Sequence, residues 1–225
     1  IRALAARTLR WYFASPAAYV ALFVFYLLTG YLFAAPLFFV KSASLRSLAD
    51  FAPLLLAFLV PALSMGLLAE ELRSGTFETL ATMPLDDWDI VLGKYLGLAA
   101  LLALCVAGLL LYVLVLALCA SPAGLDWGEM LGTLLGLALT GWAFGAIGLF
   151  ASSLGKNQVV AFVTAFLVCF GLFILGKMAG LLPGGRRAVA EYAGLDYHVD
   201  NLAKGVNAGF NEGNLKWSTL VDNDA

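Results

Sequence analysis

The sequence predicts an all-α, polytopic membrane protein, and three observations carry that prediction. Of 225 residues, 62% are apolar and only 12% charged, roughly half the charged share that a soluble domain uses to cover its surface. Mean hydropathy is +0.92. The apolar residues also gather in long runs, several of which reach the ~20 residues that a helix needs to cross about 30 Å of hydrocarbon with its backbone groups paired internally.

Five runs meet that test. The first carries no charge from Trp11 to Val40, the second none from Phe51 to Ala69 and the third none from Tyr95 to Leu125; the fourth covers about Met130 to Gly155 and the fifth Asn157 to Gly176. The predicted spans are therefore about 14–40, 51–69, 92–120, 130–154 and 157–177. Together they form one membrane domain over 1–177, followed by a segment at 178–205 that scatters charges among Gly and Asn, and by a tail at 206–225. The first apolar run is too long for a cleaved signal. Arg2, Arg7 and Arg10 ahead of it place the N-terminus in the cytoplasm by the distribution of basic residues, which makes 70–94 and 155–157 cytoplasmic and 41–50, 121–129 and everything after Lys177 external.

Composition excludes several functions. A net charge of -2 with a pI near 5.3 offers no basic stripe for nucleic acid. Cys105, Cys119 and Cys169 lie inside apolar runs without metal-ligand spacing and read as packing residues. His198, the sole histidine, sits between Asp196 and Asp200 as a surface group rather than a ligand. No acid or base occupies the centre of a span, so neither a proton relay nor an intramembrane acid–base pair is expected. The phosphate loop Gly-x-x-x-x-Gly-Lys-Ser/Thr is absent; Lys94, Lys156 and Lys177 follow glycine without the rest of it.

Glycine spacing marks the fourth span. Gly132 and Gly136 share one helical face while Gly141, Gly145 and Gly148 cluster on nearly the opposite one, which predicts a central helix with close neighbours on both sides. Aromatic residues crowd the first span, among them Tyr19, Phe23, Phe25, Tyr26, Tyr31, Phe33, Phe38 and Phe39, where they pack toward lipid or line a lateral opening.

The most informative segment lies between the second and third spans. Residues 70–94 hold six of the fifteen acidic residues. If Thr76 to Met83 is helical, Phe77 and Leu80 line one side and Glu78, Thr79 and Thr82 another, which predicts a short amphipathic helix at the membrane surface. Pro84 ends it. Asp86, with Asp89 three residues on, then reads as the N-cap of the third span and Trp88 as a headgroup-level anchor; capping accounts for this acidic group without a metal.

Glu70-Glu71 through Gly75-Thr76-Phe77-Glu78, then Met83-Pro84, Asp87-Trp88 and Gly93-Lys94, resembles the cytoplasmic loop of type-2 ATP-binding-cassette permeases, with greatest likeness to their gliding-motility-type and nitrous-oxide-accessory-type branch. The resemblance extends over roughly residues 8–205, including Ser15-Pro16 and Lys156-Asn157-Gln158. It implies that this loop is a coupling helix resting on a separate ATPase subunit through Glu71, Arg73, Gly75, Thr76, Phe77 and Glu78. It further implies no cofactor on this chain, with ATP and magnesium held by that partner. A second permease copy or a related permease, an extracytoplasmic accessory protein and a place in the bacterial cytoplasmic membrane also follow from it. Transport of a substrate is the implied activity, and passing ATPase motion to an external partner is the alternative. The segment from Gly180 to Val199 is similar to the family's external hairpin; a sixth span normally follows a stretch like Tyr197 to Val206, and none is found.

Overall fold

The computed structural model describes residues 1–35, 46–76, 87–119 and 127–178. Among them are eight helices: α1 (Arg2–Ala14), α2 (Pro16–Ala35), α3 (Arg46–Ser64), α4 (Ala69–Ser74), α5 (Asp87–Gly108), α6 (Leu110–Cys119), α7 (Trp127–Ser153) and α8 (Gln158–Met178). Five stretches are long and apolar enough to cross a membrane: Ala18–Ala35, Leu48–Ser74, Trp88–Val115, Met130–Ser153 and Gln158–Met178. The all-α polytopic fold read from the sequence is therefore present. The Thr76–Met83 helix beyond Thr76, the Asp86 cap, Phe38, Phe39, His198 and the segments 178–205 and 206–225, apart from Met178, lie outside the described residues.

Two breaks refine the apolar runs. At Ser15 the backbone is extended, with φ -90° and ψ 120°, because Pro16 crowds the helical region of the residue before it; Pro16 itself fits the first position of α2, where its missing amide is no loss. The charge-free run from Trp11 thus divides into a helix that precedes the membrane and one that crosses it. The second break lies inside the third run. Around Gly108 the amides of Leu109 and Tyr112 bond back only three residues, to Val106 and Leu109 at 3.0 Å each, which frees the Cys105 carbonyl from its usual helical donor.

Another helix supplies that donor. Tyr26 Oη of α2 donates to the Cys105 carbonyl at 2.9 Å, while Tyr112 Oη of α6 donates back to the Tyr26 carbonyl at 3.0 Å and Phe33 stacks on Tyr112 at 4.9 Å. A side chain at Gly108 would occupy the place of the Tyr26 hydroxyl. The break is satisfied because the loss of one intrahelical bond in hydrocarbon is matched by a bond from the neighbour.

The core is built on α3 and α7. Leu56, Leu63, Leu98, Leu102, Leu137 and Phe144 are buried among them and α5, whereas α2 and α8 present most of their surface outward. Tyr19, Phe23 and Tyr31 are exposed along α2, and Phe162, Phe166 and Phe170 form a stacked ladder along α8 with rings 6.1 and 5.4 Å apart. Such apolar surface suits lipid as solvent. α7 meets α3, α5 and α8. Its glycines face two of them. A Cβ on Gly145 would lie 3.4 Å from Leu98 and one on Gly141 would lie 4.0 Å from Leu102, both on α5, while one on Gly148 would overlap Ser64 of α3. Gly132 and Gly136 are buried as well.

Candidate functional site

At one end of the bundle the chain leaves α3 at Ser64, turns through 65–68 and forms α4, a helix of six residues. A helix this short does not stand on its own, because nucleation consumes most of what its few hydrogen bonds return. Local features help it: Glu70 and Glu71 in the first turn and Arg73 in the last complement the helix dipole. Gly75 ends it in the left-handed region at φ 74°, a conformation that costs other residues about 1–2 kcal/mol. Ser74 Oγ and Thr76 Oγ1 then meet at 2.8 Å across that turn.

The rest of its support comes from other helices. Leu68 at the N-cap position offers no side-chain acceptor, and Ser152 near the end of α7 takes its place: Ser152 Oγ accepts from the amides of Leu68 at 3.0 Å and Ala69 at 3.1 Å, and donates to the Met65 carbonyl at 3.0 Å. Two amides that α4 cannot bond internally are thereby capped from a distant span. Gln158, the first residue of α8, donates to the Glu70 carboxylate. From α5, Lys94 Nζ donates to the Leu67 carbonyl and pairs with Glu71 at 2.6 Å.

Lys94 is the least expected member. It lies within an apolar span and is only 4% exposed, a position that an ammonium tolerates only when paired and hydrogen-bonded. Glu71 and Leu67 meet both needs. Sequence reading had placed Lys94 only as the second residue of a Gly-Lys pair. Its signal was its position, at the start of the predicted 92–120 span and next to Gly93, although no periodicity could name its partners. Ser152 gave no signal at all.

α1 closes the site from the side. Gly93 and Gly97 of α5 let it approach so closely that added Cβ atoms would lie 2.6 Å from Leu4 Cβ and Thr8 Cβ, and Tyr12 Oη donates to the Leu63 carbonyl at 2.8 Å. Burial pushes the Tyr12 phenol above its ordinary range, so it stays a neutral donor. Between α1, α4 and α5 remains a partly open cavity of about 210 Å³ of mixed lining, with Leu4, Trp11, Gly66 and Leu67 beside Arg7, Thr8, Glu70, Glu71, Ser74, Thr76 and Lys94.

Of the predicted contact residues, the structure brings Glu71, Arg73, Gly75 and Thr76 together on this corner, with Arg73, Gly75 and Thr76 exposed and Glu71 turned inward to Lys94. Phe77 and Glu78 lie outside the described residues. The short helix begins earlier than the amphipathic pattern suggested, because Ser152 caps it at Leu68 and Gly75 ends it. Gly141 and Gly145 belong to the α5–α7 contact and not to this corner.

Comparison with known families agrees with this architecture. Residues 39–185 match the model of the ABC-2 family transporter protein, a stretch that begins ahead of α3, contains α4 and the helices that fasten it, and passes the end of α8, with α1 and α2 ahead of it. Neither a curated protein nor a solved structure matches the chain significantly. The matched region spans well over half of the chain and holds every helix that fastens α4, so the chain belongs to the ABC-2 family of transporter proteins and is a multi-pass membrane permease of that class.

Proposed function

We propose that the chain is the permease of an ATP-driven transporter in the bacterial cytoplasmic membrane, paired with a second permease and with ATPase subunits that carry the nucleotide and magnesium. The observation that carries this reading is the α4 corner, where a six-residue helix is held by bonds from α5, α7 and α8 while Arg73, Gly75 and Thr76 remain exposed. A helix fixed to the spans on one side and open on the other suits a partner that pushes on it. Arg2, Arg7, Arg10, Arg73 and Lys156 collect at this end among the described residues, against Arg46 and Lys177 at the other, which supports a cytoplasmic location. The Glu70–Glu78 and Gly93-Lys94 patterns favour the gliding-motility-type and nitrous-oxide-accessory-type branch.

Purification in mild detergent followed by mass spectrometry tests the assembly. A subunit with a phosphate-binding loop is expected to co-purify with the native chain and to be lost, with folding retained, when Arg73→Glu and Gly75→Trp are combined. Native chain without such a subunit, at a yield that supports detection of bound partners, contradicts the proposal.

A further inference from the structure

We infer that Lys94, Ser152 and Gln158 are positioning residues that make α4 a joint shared by four spans, so that a displacement of α4 reaches α7 and α8 as well as the spans on either side of it in the chain. The inference rests on the reading of α4 as the place where an ATPase pushes. The covalent chain ties α4 only to α3, and through residues 77–86 to α5. Nothing covalent links this corner to α7 or α8 closer than the whole third span and its connections. Yet Ser152 of α7 holds three backbone groups of the corner at 3.0 to 3.1 Å, and Gln158 of α8 holds the Glu70 carboxylate.

Apolar contacts between α3 and its neighbours are compatible with sliding, since one methyl replaces another at little cost. Hydrogen bonds to particular amides are not, because each amide that loses Ser152 at the edge of the hydrocarbon is left without an acceptor. The three polar bonds therefore set the register of α4 against the second half of the bundle. Ser152 is fully buried, so water does not replace it. Lys94 completes the joint by fastening the Leu67 carbonyl, at the turn itself, to α5.

Spin labels at Arg73→Cys and Lys156→Cys, both exposed positions, test this by pulsed electron–electron distance measurement. Cys105, Cys119 and Cys169 are replaced by alanine, and the chain is reconstituted in lipid nanodiscs with its co-purified ATPase. The joint predicts one narrow distance that shifts when ATP and vanadate trap the ATPase. Ser152→Ala and Gln158→Leu are expected to broaden the distribution at least twofold and to abolish the shift while the ATPase stays bound, and Ser152→Thr, which keeps the hydroxyl, to restore both. An unchanged narrow distribution in Ser152→Ala and Gln158→Leu overturns the inference. The width is also read in nanodiscs that hold the chain alone, so the joint is decided even if no ATPase binds the native chain, an outcome that overturns the proposed function instead.

Discussion

Replacing Lys94 with methionine is expected to destabilise the protein by about 2–3 kcal/mol and to loosen the α4 corner. Methionine fills nearly the same volume and suits the apolar span, so packing is not what is lost. What is lost is the partner of Glu71, whose carboxylate lies 2.6 Å from the ammonium with side chains only 5% and 24% exposed, together with the donor to the Leu67 carbonyl. Removing one member of a fully buried ion pair costs about 3–5 kcal/mol, because the other charge is stranded. The quarter of Glu71 that reaches solvent lets water relieve part of that, which sets the lower figure. The same logic predicts that Lys94→Met combined with Glu71→Gln recovers at least half of the loss, since no buried charge is then left alone. Unfolding in mixed micelles as a double-mutant cycle measures this. A single variant within about 0.5 kcal/mol of the native chain would show that the pair is not a structural element of the corner.

A leucine at Gly97 has the second largest expected effect, about 2–3 kcal/mol, at the upper end of what overpacking costs. The first added carbon would already lie 2.6 Å from Thr8 Cβ and 3.0 Å from the Ala5 carbonyl oxygen. The second of these is backbone and has no alternative rotamer, so α1 must move as a body. Its displacement opens the cavity beside Arg7 and Lys94 and exposes α1 to protease, with cleavage after Arg7 or Arg10 expected to rise at least fivefold. Gly141→Ala is the matched control: the nearest side-chain atom lies 4.0 Å from its added carbon, and stability should stay within about 0.5 kcal/mol. Equal protease resistance in Gly97→Leu and native chain would mean that α1 is not seated on α5 through the glycine pair.

These two sites show where sequence reading stops. The spans were legible because apolar length is a one-dimensional property, whereas the break at Ser15-Pro16 falls inside the predicted 14–40 span and comes from the structure. Along α7, Gly141 and Gly145 meet α5 while Gly148 meets α3, neighbours that glycine spacing alone does not name. The approach to α1 belongs to Gly93 and Gly97, whose four-residue spacing is equally visible but whose partner, the helix ahead of the first span, is set by folding. The helix of the α4 corner was expected over Thr76–Met83, and the turn at Gly75 comes from the structure, but the corner itself was legible as a charged connection between two spans. Its three anchors were not, because Lys94, Ser152 and Gln158 are each unremarkable in their own segments and acquire meaning only from the Leu67 carbonyl, the Leu68 and Ala69 amides and Glu70, brought beside them from elsewhere in the chain. The break near Gly108 is similar: one glycine in an apolar run predicts little until Tyr26 is seen to occupy the space it leaves.

The most direct test of the central claim, that an ATPase docks on the α4 corner, is photo-cross-linking from a reactive side chain placed at Arg73, with one at the outward-facing Phe150, which is 66% exposed, as reference. The account predicts a cross-link from position 73 to a nucleotide-binding subunit that position 150 does not form. A cross-link to that subunit from position 150 but not 73, or no adduct from position 73 in a complex that contains the subunit, would contradict it.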